Sequence, residues 1–177
     1  MDNHSIWLLP ERDSRSRFRD IILRLSKKLK SPTFHPHCTL YGRLNIPIGK
    51  IIPAVDHLSK SIDQFSTIVK KLKTGKTKWK SLYLTIEKKE EMEKSYNYCK
   101  KLFLSSTNYL FDPHISIAYG NFTPEKLHYA TKGIDIPKHL SFSSIAVVRT
   151  GENIEEWEVV FQRHLKAESL CIYLHKA

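Results

Sequence analysis

The sequence predicts a single α+β domain built of two similar lobes, and three observations predict it. Segments with strand-like alternation and segments with helix-like periodicity are interspersed along all 177 residues, with no linker or low-complexity break between them. A chain of this length fits one ordinary domain, or two small lobes folded together, and buries roughly 70% of its unfolded surface without needing disulfides. A seven-residue pattern also occurs twice, around His37 and again 77 residues on around His114, each time after a long predicted helix.

Residues 4–9 are apolar and few, which suits a strand. Phe18, Ile21, Ile22, Leu25 and Leu29 then recur at helix spacing, with Lys27, Lys28 and Lys30 in the last turn and Ser31-Pro32 as the stop. A short strand follows over residues 37–41, ended by Gly42. Ile51, Ile52, Val55, Leu58 and Ile62 mark a second helix. Strands are expected over residues 65–72 and 79–87, across a Thr74-Gly75-Lys76 turn; in the latter, Leu82, Leu84 and Ile86 alternate with Tyr83 and Thr85. Met92, Tyr96, Cys99 and Phe103 mark a third helix, opened by Glu90, Glu91 and Glu93. Residues 114–119 read as another short strand ended by Gly120, and Thr123-Pro124-Glu125 has the cap, first-turn proline and acid of a helix start. Three strands close the chain, near residues 142–149, 157–163 and 170–174.

Composition excludes several classes. Hydrophobic residues make up 41% and charged residues 27%, the balance of a soluble globular protein. The start of the chain lacks a basic leader, and Glu11 and Arg12 cut its apolar run short, so no secretory signal is expected. No stretch approaches the ~20 apolar residues of a membrane helix. Cys38, Cys99 and Cys171 are odd in number and far apart, outside metal or redox spacing, which points to a reducing cytoplasm and away from a zinc site. The formal net charge of +11 favours an anionic partner: RNA, a nucleotide or another phosphorylated molecule.

The repeat carries the chemistry. Phe34-His35-Pro36-His37-Cys38-Thr39-Leu40 and Phe111-Asp112-Pro113-His114-Ile115-Ser116-Ile117 share the form Phe-x-Pro-His-x-hydroxyl-aliphatic, each with a glycine shortly after. The fragment His-x-hydroxyl alone also occurs at His57-Leu58-Ser59, inside a predicted helix where positions i and i+2 share no face, and at His139-Leu140-Ser141, which lacks the Phe-x-Pro lead-in. On a strand, i and i+2 point the same way. His37 with Thr39, and His114 with Ser116, therefore face a cleft, while Cys38, Leu40, Ile115 and Ile117 face the core.

Two imidazoles and two hydroxyls suit hydrolysis of a phosphodiester. Histidine titrates near pH ~6.5, so one ring can take a proton from water while the other gives one to the leaving oxygen. The hydroxyls can hold the non-bridging oxygens and help stabilise their charge. No carboxylate cluster suggests a metal pair, so the expected mechanism uses neither metal nor cofactor.

These motifs resemble the 2H phosphoesterase superfamily, and within it the cyclic nucleotide phosphodiesterase branch. The resemblance covers nearly the whole chain, through Ser5-Ile6-Trp7-Leu8-Leu9-Pro10, the stretches ending Leu40-Tyr41-Gly42 and Ala118-Tyr119-Gly120, and Val148-Arg149-Thr150-Gly151 followed by Trp157. It implies a pseudo-symmetric bilobal fold over residues 1–177, with two antiparallel sheets facing a central cleft and helices outside. It further implies His37 and His114 as acid and base, Thr39 and Ser116 on the phosphate, and Tyr119 and Trp7 beside the nucleotide. By analogy His114 is the base and His37 the acid, an assignment the near-symmetry of the motifs leaves open. Branch members open 2′,3′-cyclic nucleotides or ADP-ribose 1″,2″-cyclic phosphate, typically leaving a 2′- or 1″-phosphate. A monomer is expected.

One departure from the family pattern is the run Lys70, Lys71, Lys73, Lys76, Lys78 and Lys80, which suits a solvated hairpin first and an RNA groove second. It supports one rival: an enzyme acting on RNA ends or tRNA-splicing intermediates by hydrolysis or ligation. A second rival is a non-catalytic RNA- or nucleotide-binding protein, although binding alone needs no acid–base pair.

Overall fold

The computed structural model describes residues 3–167. The strand expected over residues 170–174, and Cys171, lie outside that range. In chain order the elements are β1 (Asn3–Pro10), α1 (Arg12–Leu29), β2 (Cys38–Leu44), α2 (Ile52–Ser61), β3 (Phe65–Thr74), β4 (Leu82–Ile86), α3 (Glu90–Phe103), β5 (His114–Ala118), α4 (Pro124–Thr131), β6 (His139–Thr150) and β7 (Glu158–His164). The class is α+β.

Local chemistry sets the helix ends. Glu11 caps α1 by accepting from the Ser14 N–H at 3.1 Å, and Lys30 closes it in the left-handed conformation (φ 55°). Phe18, Ile21, Ile22, Leu25 and Leu29 form its buried stripe. Burying a side chain of this size is worth roughly 1.5–3 kcal/mol. Thr123 caps α4 by accepting from the Lys126 N–H, with Pro124 at the first helical position.

Among the described residues the named strands pair antiparallel, along the path β2-β1-β6-β3-β4-β5, with β7 also on β6. The two expected sheets are continuous through β3. Its first residues (Phe65 to Ile68) pair with β6, and its later ones (Val69 to Thr74) pair with β4. The ends of the path, β2 and β5, come back into contact. The helices cross over: α1, which precedes β2, packs on β5, whereas α3, which precedes β5, packs on β2. One apolar core therefore spans both lobes, from Ile6, Leu8 and Leu40 to Leu84, Ile115 and Ile117.

Several expected boundaries move, β6 starting at His139 and β3 running to Thr74 among them. β4 starts at Leu82 because Lys78–Lys80 form a 3₁₀ turn instead of strand. His37 sits in an extended lead-in, one residue before β2. β2 does not stop at Gly42. His4 pairs with Leu44 and Ile6 with Tyr41, leaving one residue against two, so the strand bulges at Gly42-Arg43 and runs on. Arg43 takes the left-handed conformation there (φ 62°), which costs a non-glycine residue on the order of 1 kcal/mol. Among the described residues, no helix is long and apolar enough to cross a membrane.

Candidate active site

The two copies of the motif meet at one cleft of about 590 Å³, lined by both lobes. Of the six residues singled out by sequence, Trp7, His37, Thr39, His114 and Tyr119 line it. Ser116 is buried and is not among the residues that line it. The decoys lie elsewhere: His57 stacks on Tyr98 at 4.7 Å, and His139 is an exposed residue opening β6.

Each histidine is oriented by its own motif. His37 Nδ1 lies 2.7 Å from the His35 carbonyl, and His114 Nδ1 lies 2.5 Å from the Asp112 carbonyl. A carbonyl only accepts, so Nδ1 donates in both and Nε2 carries the free lone pair of the neutral ring. The Phe-x-Pro lead-in gains a physical meaning from this. Proline disfavours the helical conformation of the residue before it, which holds that residue's backbone extended. The carbonyl, not the side chain, makes the bond, and position x can be His35 in one copy and Asp112 in the other. Phe34 packs on Tyr119 at 4.2 Å, whereas Phe111 stacks on Tyr96.

The surroundings of the two rings differ. Trp7 pairs across the ladder with Thr39, and its ring lies flat on His37, with centroids 3.5 Å apart and planes 8° apart. Burial, with a smaller contribution from the positive charge His114 can carry, pushes the His37 pKa down to about 3, against the pull of the His35 carbonyl. Burial and then Lys80 lower that of His114 too, opposed by the carbonyl and carboxylate of Asp112. Tyr83 sets the edge of its ring against His114 at 5.3 Å. Burial raises the Tyr119 phenol to about 12 and the Cys38 thiol to about 12, so neither ionises near neutrality.

Several lining residues carried no role in the sequence reading. Trp157 meets Trp7 and Tyr119 edge-on, both at 5.6 Å, and Trp79 stacks on Trp157 at 6.0 Å. The chain's three tryptophans thus share one cleft. Lys80 leaves the lysine run to pair with Asp112 and to sit over the Tyr83 ring at 4.3 Å. Arg43 lines the cleft from the β2 bulge. The concentration of tryptophan at predicted turns and strand ends was the available signal for the aromatic wall; nothing in the lysine run distinguishes Lys80. No group of three or more His, Cys, Asp or Glu side chains able to hold a metal ion occurs among the described residues.

Comparison with known proteins agrees with this architecture. The family model described as cyclic phosphodiesterase-like protein matches residues 1–165. The cyclic phosphodiesterase of Arabidopsis thaliana is 23% identical over 168 residues, covering 90% of this chain and 93% of that protein. Among solved structures, LigT of E. coli complexed with 3′-AMP superposes with a TM-score of 0.60 at 13% identity, over 93% of this chain and 98% of that one. TT0787 of Thermus thermophilus gives 0.64 at 12% identity, over 94% and 99%. At these identities the structures speak for the fold, and the family match carries the assignment: the chain belongs to the cyclic phosphodiesterase-like protein family, within the 2H phosphoesterase superfamily, and is an enzyme of the phosphodiesterase class.

Proposed function

We propose that this phosphodiesterase hydrolyses a cyclic phosphodiester, a 2′,3′-cyclic nucleotide or ADP-ribose 1″,2″-cyclic phosphate, by proton transfer between His37 and His114 without a metal ion. One observation carries the reading: two imidazoles from opposite lobes line one cleft, each with Nδ1 committed to a backbone carbonyl and Nε2 left for chemistry. One Nε2 takes a proton from water as its oxygen bonds to phosphorus. The bond from phosphorus to the leaving ribose oxygen breaks, and the other ring protonates that oxygen. Thr39 faces the phosphate. Ser116, its expected counterpart, is buried off the cleft surface and reaches the phosphate only if its side chain becomes uncovered.

Analogy gives His114 as base; burial favours the reverse. His37, held neutral on Trp7, is in the protonation state that a base needs, its pull on a proton weakened by burial, and His114, next to the Asp112 carboxylate, is the better donor. His37→Ala or His114→Ala is expected to lower turnover of 2′,3′-cyclic AMP by about 10²–10⁴-fold with the fold intact by circular dichroism. A substrate whose leaving oxygen is replaced by sulfur needs no acid. It should restore turnover in His114→Ala but not in His37→Ala; the opposite rescue reverses the roles. Full activity in either variant, or loss of activity on exhaustive chelation, removes the metal-free two-histidine mechanism.

A second reading, action on RNA ends, draws support from the hairpin that brings Thr77, Trp79 and Lys80 to the cleft with Lys76 and Lys78 exposed beside them. Turnover restricted to cyclic-ended oligonucleotides would favour it.

A further inference from the structure

Among the described residues, two non-glycine residues adopt the left-handed backbone conformation, Lys30 and Arg43. Lys30 has a structural reason: it is the C-cap of α1, a position where that conformation satisfies the last carbonyls. Arg43 caps no helix. It sits in the β2 bulge, where Gly42 and Arg43 together oppose Ser5. A Cβ at 42 would lie 3.2 Å from the Tyr109 ring, close enough that the ring would have to give by a few tenths of an ångström, and in ordinary contact with Ser5 Oγ and Thr39 Cγ2. The left-handed turn falls on 43 and not on Gly42, although glycine or asparagine would sit there at ease and arginine does not. Bulges re-aim side chains beside active sites, and strained backbone collects where function requires it.

The bulge delivers a cation. Arg43 lines the cleft immediately beyond the Thr39 neighbourhood. The other cation on the wall, Lys80, is already paired with Asp112. Arg43 has no ion pair among the described residues, and the only carboxylate among the lining residues, Glu152, is exposed. The cyclic phosphate of the proposed reaction lies between His37 and His114, with Thr39 upon it. An uncommitted guanidinium further along the same wall is placed for a second anionic group on the same substrate. Guanidinium favours phosphate oxygens, which it can bind with two parallel hydrogen bonds.

The geometry points to Arg43 as a specificity-determining residue that binds a phosphoryl group on the 5′ carbon of the ribose that carries the cyclic phosphate. The inference rests on the cyclic-phosphodiesterase reading and narrows its substrate class. A free nucleoside 5′-phosphate, the pyrophosphate of an ADP-ribose derivative and the preceding phosphodiester of an oligonucleotide all present this chemistry.

The test compares kcat/KM for adenosine 2′,3′-cyclic phosphate bearing either a 5′-hydroxyl or a 5′-phosphate. Wild type should prefer the 5′-phosphate by about tenfold or more, the size of one charge-assisted hydrogen bond. In Arg43→Gln the ratio should fall to near one, whatever the absolute rates, and in Arg43→Lys it should fall part of the way. Arg43→Gly guards against misfolding. It should raise the melting temperature by relieving the left-handed backbone while abolishing the preference, opposite movements that a purely structural arginine would not produce. ADP-ribose 1″,2″-cyclic phosphate and a cyclic-ended dinucleotide, run in parallel, show which source of the phosphoryl group is preferred. Equal wild-type rates with and without the 5′-phosphate, or a ratio that survives in Arg43→Gln, overturn the inference alone. No turnover of any cyclic phosphate overturns the function it rests on, and the inference with it.

Discussion

His37 sits in an environment far from that of the free amino acid. Its neutral ring is buried, fixed between the Trp7 face and the His35 carbonyl at the wall of the cleft. The sequence marks this histidine through its repeated lead-in, but not its depressed proton affinity, which comes from a tryptophan 30 positions earlier brought alongside by the β1–β2 ladder. A stability effect follows with a definite sign. In the unfolded chain the ring takes a proton below pH ~6.5, whereas in the folded protein it stays neutral down to about pH 3. Between those values the unfolded state binds more protons, so acid destabilises the fold, by up to about 1.4 kcal/mol per pH unit from this one group. Denaturation of wild type and His37→Asn across pH 4–7 should give a shallower acid loss in the variant. Parallel curves would show that burial does not hold the ring neutral. The same comparison separates His37 from His114, whose pKa is lowered against the pull of an adjacent carboxylate.

At the scale of elements, the sequence is most legible where periodicity is strong and least legible where close backbone contact decides. The buried stripe of α1 and the alternation of β4 follow directly from their side chains. The β3–β4 hairpin shows the other case. Its turn at Gly75 was readable, but the reason for glycine there was not: a Cβ would fall 1.9 Å from the Lys80 carbonyl oxygen, a backbone atom with no freedom to swing away. Gly75 lets the chain double back tightly enough to form the 3₁₀ turn that carries Trp79 and Lys80 to the cleft. Lysine content alone suggested a solvated surface. The turn gives two of its residues another place, one stacked on Trp157 and the other paired with Asp112. Gly75→Ala should therefore destabilise the protein by about 1–3 kcal/mol, the usual cost of forcing extra volume into a packed position. It should also raise KM for 2′,3′-cyclic AMP more than a comparably destabilising change in α2, far from the cleft. Unchanged thermal stability would mean that the hairpin opens freely, and that its hold on Trp79 and Lys80 is weak.

For the whole molecule, the repeat suggests two separable halves, whereas the packing joins them. The helix leading into each motif strand lies against the strand of the other motif, β3 serves both halves of the sheet, and one core runs through all of it. Such exchange was not legible in the sequence, because hydrophobic periodicity shows which face of a helix is buried but not which strand covers it. Neither half can keep its core after the other has melted. Removing β5 would strip α1, and removing β2 would strip α3, so unfolding should be cooperative over the described residues. The three tryptophans make this measurable, since all of them line the cleft between the lobes while the helices lie elsewhere. Tryptophan fluorescence and far-ultraviolet circular dichroism should therefore report the same midpoint in urea. Leu25→Ala in α1 should move both midpoints together, with a loss of about 2–5 kcal/mol for a fully buried leucine. If fluorescence changes first and helical signal persists to higher urea, the lobes part before they unfold, and the crossed helices do not couple them.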